Sequence, residues 1–216
     1  MAIGAVTLMV SGADVATTTN NIVTASFTCT AGRLYLLMLS ESTTCSGVTA
    51  GQNASTNWAY QKTQTNGTGI IVEVFGGICT TTTTATMTIS WAGATTASYA
   101  VIEVQQPKAA NTIVQKLSAA AATVTMGARS PTGDDPAIFV CARNTNAMSP
   151  KTLYVATANI GVTHRLLCSY NSIFDTAPSF SGTLAASAII GLEVGSIALP
   201  GTATPGGLKM TGYGAP

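Results

Sequence analysis

The chain is 216 residues long, with nine Lys or Arg, eight Asp or Glu and a single His, for a net charge of +1. Charged side chains make up 8% of it, against ~25% in ordinary soluble domains, and threonine alone supplies about a sixth. So thin a charge inventory argues against nucleic-acid binding, which runs on clustered cations, and against most catalytic sites, which concentrate titratable groups.

Threonine is β-branched and suits a pleated, half-buried surface better than a helix, so the same bias predicts an all-β fold with a neutral, hydroxyl-rich skin. Strand signals recur about every ten residues between Gly, Asn, Ser and Pro clusters, the spacing of an antiparallel β-sandwich or barrel. In chain order they fall at Ala5–Val10, Ile22–Cys29, Arg33–Ser40, Gly69–Phe75, Thr84–Trp91 and Ala97–Gln105. They continue at Ile138–Arg143, Leu153–Ala158, Arg165–Tyr170 and Ala185–Val194.

Thr84–Trp91 has the cleanest period of two, with Ala85, Met87, Ile89 and Trp91 on one face and Thr84, Thr86, Thr88 and Ser90 on the other. The short linker 92–96 predicts a hairpin between this strand and the next. Lys116–Thr125 reads as strand or helix, because four consecutive alanines meet a Thr-Val-Thr run.

Residues 1–198 are expected to form one sandwich domain, and residues 199–216 an extended Gly/Pro-rich C-terminal arm. Within that arm Leu199, Pro200, Pro205, Leu208, Met210 and Tyr213 are candidate partner contacts. No run approaches the ~18 apolar residues that span a bilayer, and the mildly apolar start lacks a basic leader, so no membrane partner and cytoplasmic synthesis are expected.

The five cysteines, Cys29, Cys45, Cys79, Cys141 and Cys168, are widely spaced without a C-x-x-C pair, which argues against zinc. Cys29 and Cys141 lie in apolar runs and are expected to be buried thiols, whereas a Cys45–Cys79 bridge stays open. Thr132-Gly-Asp-Asp-Pro136 has the chemistry of a turn, with too few neighbouring oxygens for calcium. Asn53-Ala-Ser and Asn66-Gly-Thr match the glycosylation triplet and are read as turns.

His164 is the one base available to a Ser-His-Asp or Cys-His mechanism. Asp175 or Asp134, with a serine or Cys168, are its candidate companions, but no Gly-x-Ser-x-Gly elbow is present, so no catalytic residue is assigned. Trp58 and Tyr60, set among polar residues, are candidates for a surface contact such as stacking on a sugar ring, whereas Trp91 is assigned to the core.

The block Asn20–Gln105 combines a glycine-led apolar strand (A-G-R-L-Y-L-L-M-L-S), a polar loop with Trp58, then I-V-E-V-F-G-G and A-T-M-T-I-S-W-A-G-A-T-T-A-S-Y-A-V-I-E-V. With the later Ile138–Ala142 and Ala185–Val194 segments, it resembles virion structural proteins of tailed bacteriophages. That resemblance implies a jelly-roll-like sandwich and a non-enzymatic capsid decoration or cement protein of the virion, without a cofactor. Its implied partners are the major capsid protein or another virion protein and further copies of itself, as a dimer or trimer. The alternative is a carbohydrate-binding or adhesin module of a fibre, using the exposed aromatics.

Overall fold

The computed structural model describes residues 4–17, 19–50, 56, 58–67, 69–105, 111–128, 137–183 and 185–196. The described elements are all strands, paired antiparallel throughout. The proposed arm, with Leu199, Pro200, Pro205, Leu208, Met210 and Tyr213, lies outside the described residues, as do the 132–136 turn and Asn53.

The first half of the chain supplies β1 (Val6–Ala16), β2 (Asn21–Val23), β3 (Phe27–Cys29), β4 (Leu34–Glu41), β5 (Cys45–Ala50) and β6 (Ala59–Thr65). It continues through β7 (Ile71–Ile78), β8 (Thr83–Ala85), β9 (Met87–Trp91) and β10 (Thr96–Val104). Five of these form a sheet in the order β1-β10-β4-β7-β6, and β2-β9-β5 and β3-β8 cover its outer face. The second half supplies β11 (Asn111–Ala119), β12 (Ala137–Asn144), β13 (Ser149–Pro150), β14 (Val155–Ile160), β15 (Leu166–Asn171), β16 (Phe180–Ser181) and β17 (Ser187–Ser196). They form a second five-stranded sheet, β11-β17-β12-β15-β14, with β13-β16 outside it.

The two halves have one topology. With β1, β2, β4, β5, β6, β7, β9 and β10 numbered one to eight, the large sheet reads 1-8-3-6-5 and the small one 2-7-4. In the second half β11, β17, β12, β15 and β14 repeat 1-8-3-6-5, and the Thr123–Ser179 bridge beside the β16–β13 pair repeats 2-7-4 in shortened form.

The large sheets pack face to face, and their contacts are reciprocal: β1 lies against β14 as β11 lies against β6, β7 meets β12 as β15 meets β4, and β4 meets β12. Reciprocity of this kind is what a two-fold relation between the halves requires. A trace survives in sequence, Ala97–Val104 (ASYAVIEV) against Ala186–Val194 (ASAIIGLEV), each closing on Glu-Val.

Side-chain alternation sorts the core into three layers. Leu36, Met38 and Ile102 of the first sheet interlock with Phe139, Cys141, Leu166 and Leu192 of the second in the central layer. Leu37, Leu39 and Val101 point the other way, toward Met87, Ile89 and Trp91. Ile138, Val140 and Leu167 likewise meet Val124, Met126 and Phe180 outside the second sheet. Gly191 of β17 allows this last layer to close, because a Cβ there would sit 2.9 Å from both Met126 Sδ and Val124 Cγ1.

The expected hairpin across 92–96 does not form. β9 pairs with β2 and β5, and β10 pairs with β1 and β4, so the linker carries the chain from one sheet to another. The apolar face of β9 can bury Trp91 only against the outer side of the first sheet, and β10, buried on both faces, must sit inside that sheet. The strand also breaks at Thr86, where Ala85 ends its pairing with Phe27 and Met87 N donates to Thr24 Oγ1. Lys116–Ala119 belongs to a strand, and the 59–65 segment, loop-like in sequence, is the edge strand β6.

The shared central layer couples the halves. Leu36 and Phe139 occupy equivalent register positions in β4 and β12. Leu36→Ala is expected to cost about 2–5 kcal/mol and Phe139→Ala about 3–5 kcal/mol. Each should lower the midpoint of one common urea transition, followed by tryptophan fluorescence and circular dichroism together.

Candidate functional site

At one end of the molecule the turn between β14 and β15 folds onto β1 and onto the loop that follows β4. Gly161 opens that turn at φ 81°, and a Cβ on it would lie 2.6 Å from Ser98 Oγ and 2.7 Å from the His164 carbonyl, so the approach requires glycine. Asp14, itself in the left-handed region at φ 47°, holds the turn. Its Oδ2 accepts the Val162 and Thr163 amides at 2.5 and 3.2 Å, and its Oδ1 accepts the His164 amide at 2.6 Å. Burial opposes ionisation of Asp14, but the three amide donors outweigh it and hold the carboxyl below its ordinary range.

Held in this way, His164 is only 6% exposed and lies between two further side chains. Its Nε2 is 2.6 Å from Ser42 Oγ, and its Nδ1 is 3.5 Å from Asp14 Oδ1. The Asp14 contact is one of charge, since Nδ1 makes no hydrogen bond, and Ser42 Oγ and His164 Nε2 share a hydrogen bond whose direction follows the tautomer of the ring. Burial and the nearby Arg143 guanidinium push the imidazole below its ordinary pKa against the opposing pull of Asp14, so the ring is neutral at pH 7. Ser42 and His164 line a cleft of about 370 Å³ with Ala16, Thr17, Thr43, Ala94, Thr95 and Thr96.

Behind Ser42 lies a buried acid pair. Glu41, wholly buried, and Glu73 share a hydrogen bond on the outer face of the first sheet. Trp91 Nε1 donates to Glu41 Oε2 at 2.6 Å, Cys45 N to Glu73 Oε2 at 2.7 Å, and Thr63 Oγ1 to Glu73 Oε1. Burial first, then the neighbouring Glu73 carboxylate, raise Glu41 well above the ordinary carboxyl range. Arg143 donates from the central layer to the Glu41 backbone carbonyl, tying this pair to the His164 side.

The sequence singled out His164 but not its neighbours. Asp175 accepts Lys151 Nζ at 2.8 Å, Tyr154 Oη at 3.0 Å and the Ala177 amide at 2.9 Å, which commits it to bracing another loop. Asp134 lies outside the described residues. Cys168 is in the central layer, its thiol pushed far up by burial. No disulfide joins the cysteines, and burial raises Cys29 to about 11 and Cys45 to about 12, so both stay protonated at neutral pH. Asp14 and Ser42 are 150 and 122 residues from His164, and nothing in local sequence marks them.

Trp58 directly precedes the edge strand β6 and Tyr60 is its second residue. Trp58 is half-buried against the outer core of the first half, and Tyr60 is 56% exposed with its ring edge-on to Phe75 at 5.8 Å. Of the two, Tyr60 presents its ring to solvent. Asn66 spends its side chain on the Ser187 carbonyl at 2.7 Å, in keeping with a turn. No protein-family model matches the chain, and neither a curated protein nor a solved structure is similar to it.

Glu41 is protonated in the fold but ionises near 4.5 when exposed. Above that pH the folded state binds more protons than the unfolded one, so this group makes stability fall as pH rises from 4.5. Glu41→Gln removes the effect, whereas the opposing contribution of His164 is common to both proteins. The stability of the variant minus that of the parent should therefore rise between pH 5 and pH 8, read from urea midpoints at each pH.

Proposed function

We propose that this chain is a structural protein of a bacteriophage virion, a decoration or cement protein that binds the capsid lattice through the major capsid protein and associates with further copies of itself. The observation that carries the reading is where the charge has gone. Glu41, Glu73, Glu103 and Glu193 are all buried, and Asp14 and Asp175 are bound to loops, so no described acid is left on an open surface. Arg33 pairs with Glu103, Lys151 with Asp175, and Arg143 is buried.

Lys62, Lys116 and Arg165 add isolated cations to the described surface, with Lys116 exposed and its Nζ on Gln61 Oε1, and the rest of that surface is rich in hydroxyl, amide and small apolar groups. Such a skin suits repeated contacts, since desolvating an unpaired charge in an interface costs several kcal/mol. The nested strand order of each half supports the jelly-roll reading, and two such units joined back to back offer a stiff body with two outer faces. Leu153, Val155 and Ile173 are 55–79% exposed at one end of the edge strand β14 and just beyond its partner β15, apolar surface of the kind that docks on another protein. The exposed Tyr60 is what remains of the sugar-binding alternative, with Trp58 packed inward.

Quantitative peptide mass spectrometry of gradient-purified particles tests the reading. Hundreds of copies per particle are expected of a lattice protein, a few dozen or fewer would move it to a tail or vertex, and absence would overturn it. Val155→Lys should abolish co-sedimentation with particles while leaving the unfolding midpoint within about 0.5 kcal/mol of the parent, as for other exposed substitutions.

A further inference from the structure

The two halves provide an internal control for the His164 site. Strand register places His164 of the second half where the first half has Ile70, and Ser42 of the first where the second has Thr145. Ile70 is buried in the central core and completes its turn with no polar partner needed. The fold at this position is therefore satisfied by an aliphatic side chain. At the equivalent end the chain instead buries an imidazole, meets it with a serine hydroxyl at 2.6 Å, and faces its other nitrogen with a carboxylate. Burying that ring costs desolvation which the isoleucine avoids.

We propose that Ser42 is a nucleophile activated by His164 as general base, with Asp14 as the positioning residue, and that the cleft beside it accepts a small uncharged carboxylic ester. The roles follow from position. Nucleophile and base are within hydrogen-bond reach, and a carboxylate fixes the loop of the base through its backbone amide and lies 3.5 Å from its other ring nitrogen. Ser42 is exposed at the cleft, so an incoming carbonyl can reach Oγ, whereas His164 behind it is shielded. The cleft is lined by alanines, threonines and the two reacting side chains, with no charged lining residue to hold an ionic substrate. The cleft is shallow and open, so a short acyl group can reach Ser42 from solvent.

Ser42 Oγ attacks the acyl carbon while Nε2 takes the hydroxyl proton. The bond to the alkoxide breaks, and the leaving oxygen takes that proton from His164 and departs as the alcohol. Water then attacks acyl-Ser42, giving up a proton to Nε2. The acid is released and the proton returns to Ser42 Oγ.

The full-length protein, incubated with 4-nitrophenyl acetate and separately with an alkyl fluorophosphonate, should show a burst of nitrophenol and one covalent adduct mapped by peptide mass spectrometry to Ser42. Ser42→Ala should lose the adduct while staying folded by circular dichroism, with at most a modest fall in its unfolding midpoint from the lost hydrogen bond to His164. His164→Gln should slow acylation by about 10²–10⁴-fold, the usual worth of a general base.

Asp14 and Arg143 are the charged groups that bear on the His164 ring. The acylation rate of the parent should climb with pH below 6.5 and level off above it. Asp14→Asn, which removes an anion favouring the imidazolium, should move that limb to lower pH, a shift that loop loosening alone would not give. Adducts confined to lysine or tyrosine, or a Ser42 adduct formed equally fast in a folded His164→Gln protein, would overturn the proposal. Neither outcome bears on the copy number in particles, so the structural reading stands or falls separately.

Discussion

Burial of both faces of two antiparallel five-stranded sheets is the constraint on which the molecule depends. An antiparallel sheet commonly turns one face to water, and its strands then alternate apolar with polar. Here β4 (LYLLMLSE) and β12 (AIFVCARN) are buried at every position, because one face of each sheet meets the other sheet and the opposite face needs its own cover. That cover comes from the connections. β2, β5 and β9 roof the first sheet, and Val124, Met126, Met148 and Phe180 roof the second.

The same constraint explains the fate of the charges. Four glutamates are buried, and ionised carboxylates in such positions are costly unless paired or bonded. Glu103 is met by Tyr35 and Arg33, Glu73 by Thr63 and the Cys45 amide, and Glu41 keeps its proton. These groups staple loops and strand ends to the sheets. They leave a described surface rich in threonine, serine and alanine with few charges, and a cleft in which buried polar groups meet the outside at Ser42.

Much of the secondary structure was legible because its signal is local. The period of two over Met87–Trp91 and the continuous apolar runs at β4, β12 and β17 are properties of adjacent residues. β6 was not legible, since A-Y-Q-K-T-Q-T is an edge strand whose polar side chains show no core face. The 92–96 hairpin was misread because a short linker between strands looks the same whether it turns within one sheet or crosses to another. The internal repeat left only the ASYAVIEV and ASAIIGLEV echo, as the two halves share register and burial but few side chains.

By itself the sequence determined an all-β chain with a hydroxyl-rich, nearly uncharged skin, buried thiols at Cys29 and Cys141, a core position for Trp91, and His164 as the sole candidate base. These follow from composition and from spacing along the chain, which local propensity and burial read directly. Tertiary structure alone decided that the strands form two equivalent units packed back to back, that the acids turn inward, and that Asp14 and Ser42 close on His164 from more than a hundred residues away. Those outcomes depend on which sheet faces which, and pairing of distant strands is a property of the packed whole that no local pattern encodes.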